Sequence, residues 1–208
     1  MTKKNIYFDF DGTLIDCRTR LYNLFIELVP ESNFTFDEYW EIKRKRIDQK
    51  KLLMSTFNYS EEEVKKFKIK WLNKVEEVER LKSDTPFQFS KIILKDLHEK
   101  YNLFVVTNRQ SKQLVIEQIK SYCWSSFFQK ILVTEQLQTK EELIKSNCQV
   151  SSEDYFIGDT GEDILTGKSL GIKTIAVASG FLNNEILKEY EPDIILNGIE
   201  ELYENNIL

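Results

Sequence analysis

The spacing of apolar positions changes along this chain, and the change divides it. It opens on a short apolar run, Ile6-Tyr7-Phe8, predicted as a strand; acids and a glycine follow in Asp9-Phe10-Asp11-Gly12-Thr13-Leu14. From about Arg18 to Asp84 only the helical period appears, with no strand among these residues. Leu21, Leu24, Phe25 and Leu28 recur at i, i+3, i+4 and i+7, and Pro30 stops that helix. Thr35 with Glu38 has the spacing of a capping box and predicts a helix through Tyr39 and Ile42, followed by a basic stretch to Lys51. Ser60 with Glu63 repeats the signal, ahead of Val64, Phe67, Trp71, Val75 and Val78 on one face. From Pro86 onward, short apolar runs alternate with helical segments. Strands are predicted at Leu103–Val106, Ile131–Val133, Tyr155–Ile157, Thr174–Val177 and Ile194–Leu196. Helices are predicted over 87–100, after Ser111 with Leu114, Val115 and Ile119, and over 141–147, 163–170 with Gly171 as stop, and 184–190.

Continuous apolar strands separated by helices argue for a parallel sheet covered on both faces. The fold class is therefore α/β: a Rossmann-like parallel sheet core, residues 1–16 and 85–208, with an inserted all-helical domain, residues 17–84. An insert directly after the first strand stands above the C-terminal strand ends, where open parallel sheets bind ligands.

Composition changes this picture little. The chain is 41% hydrophobic and 30% charged with a net charge of −5, without the basic footprint of a nucleic-acid binder. Cys17, Cys123 and Cys148 are odd in number and widely separated, which reads as free thiols in a reducing compartment. Acids interrupt the short apolar stretch after Met1-Thr2-Lys3-Lys4, so it is no signal-peptide core. No run approaches the ~20 apolar residues that span a bilayer. A cytoplasmic protein with neither nucleic acid nor membrane as partner is expected; oligomeric state is not legible.

Candidate chemistry sits at the strand ends. Side chains two apart on a strand share a side, so Asp9 and Asp11 can face one reacting group, and Gly12 permits a tight turn behind them. The pair suits one carboxylate as nucleophile and one as acid/base, and suits Mg²⁺, which takes hard oxygen ligands. The second strand of the α/β part ends in Thr107-Asn108-Arg109, Lys140 opens a helix after the third, and the fourth ends in Gly158-Asp159-Thr160-Gly161-Glu162-Asp163. With His98 the lone histidine, no Ser-His-Asp triad is available; His98 reads as structural. Arg44, Lys45 and Arg46 read as a solvated helix face or as a substrate contact.

This order of motifs resembles the haloacid dehalogenase superfamily: DxDGT, an apolar strand ending in Ser/Thr, a lysine, and GDxxxD after another strand, with a helical insert like that family's C1 cap. Ala176-Val177 before Gly180, and Glu191-Pro192-Asp193 before the last strand, are similar to the phosphoglycolate-phosphatase-like branch. The resemblance implies a Mg²⁺-dependent phosphatase of a small phosphorylated metabolite that forms an aspartyl-phosphate. It casts Asp9 as nucleophile and Asp11 as acid/base with a raised pKa. Thr107 and the Asn108 amide would bind phosphoryl oxygens, and Lys140 would neutralise charge, with Lys130, Lys145 and Lys168 as stand-ins. The metal would be held by Asp9, the Asp11 carbonyl and Asp159, with Asp163 on metal waters or Lys140. Dehalogenases of the family lack the second acid, so Asp11 favours phosphate chemistry. Inorganic pyrophosphatase, phosphomutase and a non-catalytic binding module stay open as alternatives.

Overall fold

The computed structural model describes residues 3–204 and 207–208; Met1 and Thr2, which begin the N-terminal stretch read above, lie outside them. Strand β1 (Asn5–Phe8) lies inside a six-stranded sheet with β4 (Asn102–Thr107) and β5 (Phe128–Val133) on one side. On its other side lie β6 (Tyr155–Gly158), β7 (Lys173–Val177) and β8 (Ile194–Leu196). The order is β5-β4-β1-β6-β7-β8 and every pairing is parallel. The chain winds outward from β1 in one direction, then returns and winds outward in the other. Its topological switch point is therefore at β1, where such sheets open a crevice beyond the strand ends.

Alternate residues of the strands face opposite layers. Ile6, Phe8, Leu103, Val105 and Ile157 pack with Ile93 and Leu97 of α6 (Ser90–Lys100) and with Val115 and Ile119 of α7 (Lys112–Ser121). Tyr7, Phe104, Val106 and Phe156 face Leu143 and Ile144 of α8 (Lys140–Asn147). Tyr7 stacks on Phe104 with ring centroids 5.1 Å apart. The helix α9 (Gly161–Leu170) and α10 (Asn184–Lys188) lie beside α8 over the β6–β8 half through Ile164, Ala176 and Leu187. A last short helix, α11 (Glu201–Glu204), was not expected from the sequence.

Within residues 17–84 the described structure contains five helices: α1 (Arg18–Leu28), α2 (Phe36–Arg44), α3 (Gln49–Phe57), α4 (Glu61–Lys74) and α5 (Val78–Leu81). Both predicted capping boxes are formed, Thr35/Glu38 on α2 and Ser60/Glu63 on α4. The basic stretch after Ile42 breaks before Asp48, whose side chain caps α3. These helices bury their own cluster, with Leu24, Phe25, Tyr39, Leu53 and Phe67 at its centre. Val78 does not join the α4 face: α4 ends at Lys74, and Val78 on α5 is 56% exposed. The two connections between insert and sheet pair with each other, β2 (Ile15–Asp16) antiparallel to β3 (Thr85–Pro86). Two-residue strands distant in sequence leave no periodicity to read. No helix among the described residues is long and apolar enough to cross a membrane.

Candidate active site

Residues from four strand ends line one cavity of about 260 Å³ between the sheet and the helical insert; Asp159 and Asp163 are not in its lining. Asp9, Asp11, Thr107, Asn108 and Lys140 line it from the sheet side; Arg20, Trp71 and Val75 line it from the insert. Asp9 and Asp11 do not reach it as neighbours on a strand. The ladder ends at Phe8, with one further bond from the Asp9 amide to the Ile157 carbonyl (2.9 Å), and both acids sit in the turn beyond it. Gly12 makes that turn at φ +84°, and a Cβ there would meet the Asp159 carboxylate at 2.3 Å, so only glycine fits.

Around Asp9 the site is crowded with acid. Asp9, Asp159 and Asp163 are buried, and each offers a carboxylate oxygen within 4.8 Å of the others. Lys140, the first residue of α8, is buried with its Nζ 2.7 Å from Asp9 Oδ1 and 2.6 Å from Asp163 Oδ1. Thr139 positions it by capping α8 in a box with Glu142. Asp163 also accepts from the Thr160 amide and hydroxyl at the start of α9. Asp159 accepts from the Thr13 hydroxyl (3.1 Å) and the Phe181 amide (2.7 Å). Burial raises the Asp9 pKa, Lys140 pulls it back, and Asp163 and Asp11 push it up again, to about 7 on balance. Burial, then Asp9 and Asp163, push Asp159 well above the ordinary range. Burial disfavours the Lys140 charge, but Asp163 and Asp9 outweigh it and hold the ammonium charged. Three carboxylates thus face one ammonium, and negative charge is left over. Hard oxygen donors with uncompensated charge fit a divalent cation such as Mg²⁺.

The surroundings of Asp11 are the reverse. Its Oδ1 accepts from Arg20 Nη2 and Arg109 Nη2, both at 2.7 Å, and its Oδ2 accepts from Arg109 Nε. Arg20 and Arg109 also meet at Asp84, through Arg20 Nε (2.8 Å) and Arg109 Nη2 (3.1 Å). Gln118 donates to Asp84 from α7 at 3.0 Å. Burial raises the Asp11 pKa, but Arg109 and Arg20 outweigh it and hold it at about 2. The expectation of a raised Asp11 pKa is therefore overturned: neighbouring acids were to raise it, and two arginines are closer. The Asp11 side chain also stands outside the cluster of acids around Asp9.

Thr107 is buried at the end of β4, and the Asn108 side chain reaches Glu162 at 2.7 Å. The alternative lysines are engaged elsewhere: Lys130 at the Asn147 carbonyl, Lys145 at Glu141, Lys168 at Glu191. His98 packs on Phe127, ring centroids 5.1 Å apart, far in the fold from these strand ends. None of Arg44, Lys45 and Arg46 lines the cavity. Cys17 lines it but is a buried free thiol whose pKa burial raises, the behaviour of a packed side chain. Sequence reasoning missed Arg20, Asp84 and the part played by Arg109. Arg20 carried a signal, since it lies four residues before Leu24 on the buried stripe of α1, where a charge needs a partner.

Residues 6–177 match the family described as haloacid dehalogenase-like hydrolase. The chain belongs to that family. The pyrophosphatase PpaX of Halalkalibacterium halodurans is 23% identical over 97% of this chain and 96% of its own length. A phosphoglycolate phosphatase of Vibrio parahaemolyticus is 25% identical over 55% of this chain and 53% of its own. A haloacid dehalogenase-like family hydrolase from Streptococcus pneumoniae superposes with a TM-score of 0.80 at 20% identity, covering 98% of both chains. At that identity the likeness speaks for the fold.

Proposed function

We propose that this family member is a Mg²⁺-dependent phosphatase of a small phosphorylated substrate, acting through an aspartyl-phosphate on Asp9. One observation carries the reading: the Asp9 carboxylate is buried at the switch point of the sheet, held by Lys140 and lining the cavity between sheet and insert. An Asp9 oxygen attacks phosphorus, and the bond from phosphorus to the leaving oxygen breaks as that oxygen takes a proton. Water then attacks the acyl phosphate, gives up its proton and releases phosphate, which splits one difficult step into two. Thr107 and the Asn108 amide hold phosphoryl oxygens, and Lys140 offsets charge on nucleophile and phosphate. Asp9, Asp159 and Asp163, with the Asp11 carbonyl, would hold the cation, whose charge lets an anionic nucleophile approach an anionic phosphate.

Asp11 moves the protons. As its arginines hold it, the carboxylate is ionised and suited to accept a proton from water. Donation to the leaving oxygen requires its contacts with Arg20 and Arg109 to loosen. Residues 17–84 act as the cap over the core of residues 1–16 and 85–208, closing the site against water.

Within this class, inorganic pyrophosphate is the favoured substrate. The relative named for that activity aligns over nearly the whole chain, whereas the phosphoglycolate phosphatase aligns over about half. A cavity of about 260 Å³ also lies at the small end for ligand sites. Retention of Asp9, Asp11, Asp159 and Asp163 argues against a binding module. The test compares pyrophosphate, a two-carbon phosphate ester and an aryl phosphate with Mg²⁺, using wild type and Asp9→Asn. Asp9→Asn is expected to lose at least about a thousandfold in kcat. Wild-type turnover by that variant would remove Asp9 as nucleophile.

A further inference from the structure

In the basic cluster Arg44-Lys45-Arg46, Lys45 and Arg46 are exposed, but neither the cavity nor a solvated face accounts for Arg44. Arg44 ends α2 half-buried, and its Nε is buried without a partner, which is unfavourable for a surface arginine. Its Nη2 donates to the Ala178 carbonyl, and its own carbonyl accepts from the Asn183 amide at 3.1 Å. That carbonyl is one of those a helix C-terminus leaves unpaired. One turn earlier, buried Trp40 meets Phe181 edge-on at 5.6 Å. Helix α2 therefore grips both ends and the middle of segment 178–183.

The other side of that segment is pressed on the acid cluster. The Phe181 amide donates to Asp159 Oδ2 at 2.7 Å, and the Ser179 hydroxyl donates to the Gly12 carbonyl at 2.9 Å. A Cβ on Gly180 would stand 2.0 Å from Asp159 Oδ2 and 2.7 Å from the Gly12 carbonyl oxygen. The backbone at Gly180 can approach the carboxylate this closely only without a side chain.

We propose that Arg44, with Trp40, is a positioning residue for the cation site: α2 seats segment 178–183, and the segment's Phe181 amide fixes Asp159. The insert then reports on the cation as well as covering the cavity. Because coupling of two equilibria is reciprocal, cation binding tightens α2 on the segment by the same factor that seating α2 tightens the cation. The inference rests on the cation reading above, and the experiment separates the two.

Mg²⁺ binding to the whole protein without substrate is measured by calorimetry for wild type, Arg44→Ala, Arg44→Lys and Arg46→Ala. Arg46 is the control, since it lies on Tyr190 at 5.0 Å and is exposed. Loss of the Arg44 bond is expected to weaken Mg²⁺ about three- to tenfold, with Arg44→Lys intermediate and Arg46→Ala unchanged. Hydrogen exchange gives a second readout that a folding defect elsewhere would not mimic. Protection of 178–183 falls in Arg44→Ala, and Mg²⁺ raises protection of α2 in wild type. Folded Arg44→Ala that binds Mg²⁺ as wild type does, or Mg²⁺ that leaves α2 exchange unchanged, overturns the inference. Wild type that binds no divalent cation overturns the cation reading and this inference together.

Discussion

Around Asp9 the fold gathers two further acids and one cation, Lys140; around Asp11, two residues away, it gathers two cations, Arg20 and Arg109, and one further acid, Asp84. The first group is electrostatically overfull and the second is balanced. Burial opposes charge in both, so the partners decide: the Asp9 pKa rises to about 7 and the Asp11 pKa falls to about 2. The difference separates two uses of buried charge. The balanced group joins α1, the β3 connection and α7, and so ties the insert to the sheet. The overfull group holds an imbalance that a cation would relieve, as expected where stability is given up for chemistry.

Breaking the balanced group should have the largest effect. Arg109→Met leaves Asp11 and Asp84 sharing Arg20, and an uncompensated buried charge typically destabilises by about 3–5 kcal/mol. Urea unfolding measures this, and a loss below about 1 kcal/mol would show that the ion pairs add little.

A second effect is a divergence with pH, followed by urea unfolding in the presence of chelator. Asp9 moves from an ordinary 3.8 up to about 7 on folding. Between those values the unfolded chain has released a proton that the folded chain keeps, so this group's contribution to stability falls as pH rises. Asp9→Asn should gain on wild type from about pH 4 to 7, and Mg²⁺ should erase the gain. Asp11 moves from 3.8 down to about 2, so its contribution is present above 3.8 and lost as pH falls toward 2. The deficit of Asp11→Asn should therefore shrink over that lower window. Parallel profiles for the two variants would contradict the contrast.

The smallest effect sharpens the assignment of Lys140. Lys145 lies one turn and a half further along α8 and makes an exposed pair with Glu141. Lys145→Ala should change stability by no more than about 0.5 kcal/mol and leave turnover unchanged. A large loss of turnover would reopen the choice of lysine.

The predicted strands and helices of the sheet region recur with their ends moved by a few residues, because burial on both faces writes continuous apolar runs into the sequence. The capping boxes at Thr35 and Ser60 were equally legible, since their partners are three residues apart. A third box at Thr139 and Glu142 had the same spacing, and it sets the start of α8 at Lys140. The pairing of Ile15–Asp16 with Thr85–Pro86 was not legible, because two residues carry no period. The Asp11 environment was misread for a related reason: Arg20 and Arg109 stand 9 and 98 residues from it, and nothing local ranks them above nearer acids.

By itself the sequence determined the strands of the six-stranded sheet and the helices between them, that the insert follows the first strand, and that acids, a threonine and a lysine stand at the strand ends. Those properties follow from local periodicity and short spacing. Only the tertiary structure decided which charges meet: that Lys140 lies between Asp9 and Asp163, that two arginines hold Asp11, and that Arg44 grips the segment whose amide fixes Asp159. The physical reason is that a buried charge is governed by partners within a few ångströms, and the parallel sheet brings those partners together from far along the chain.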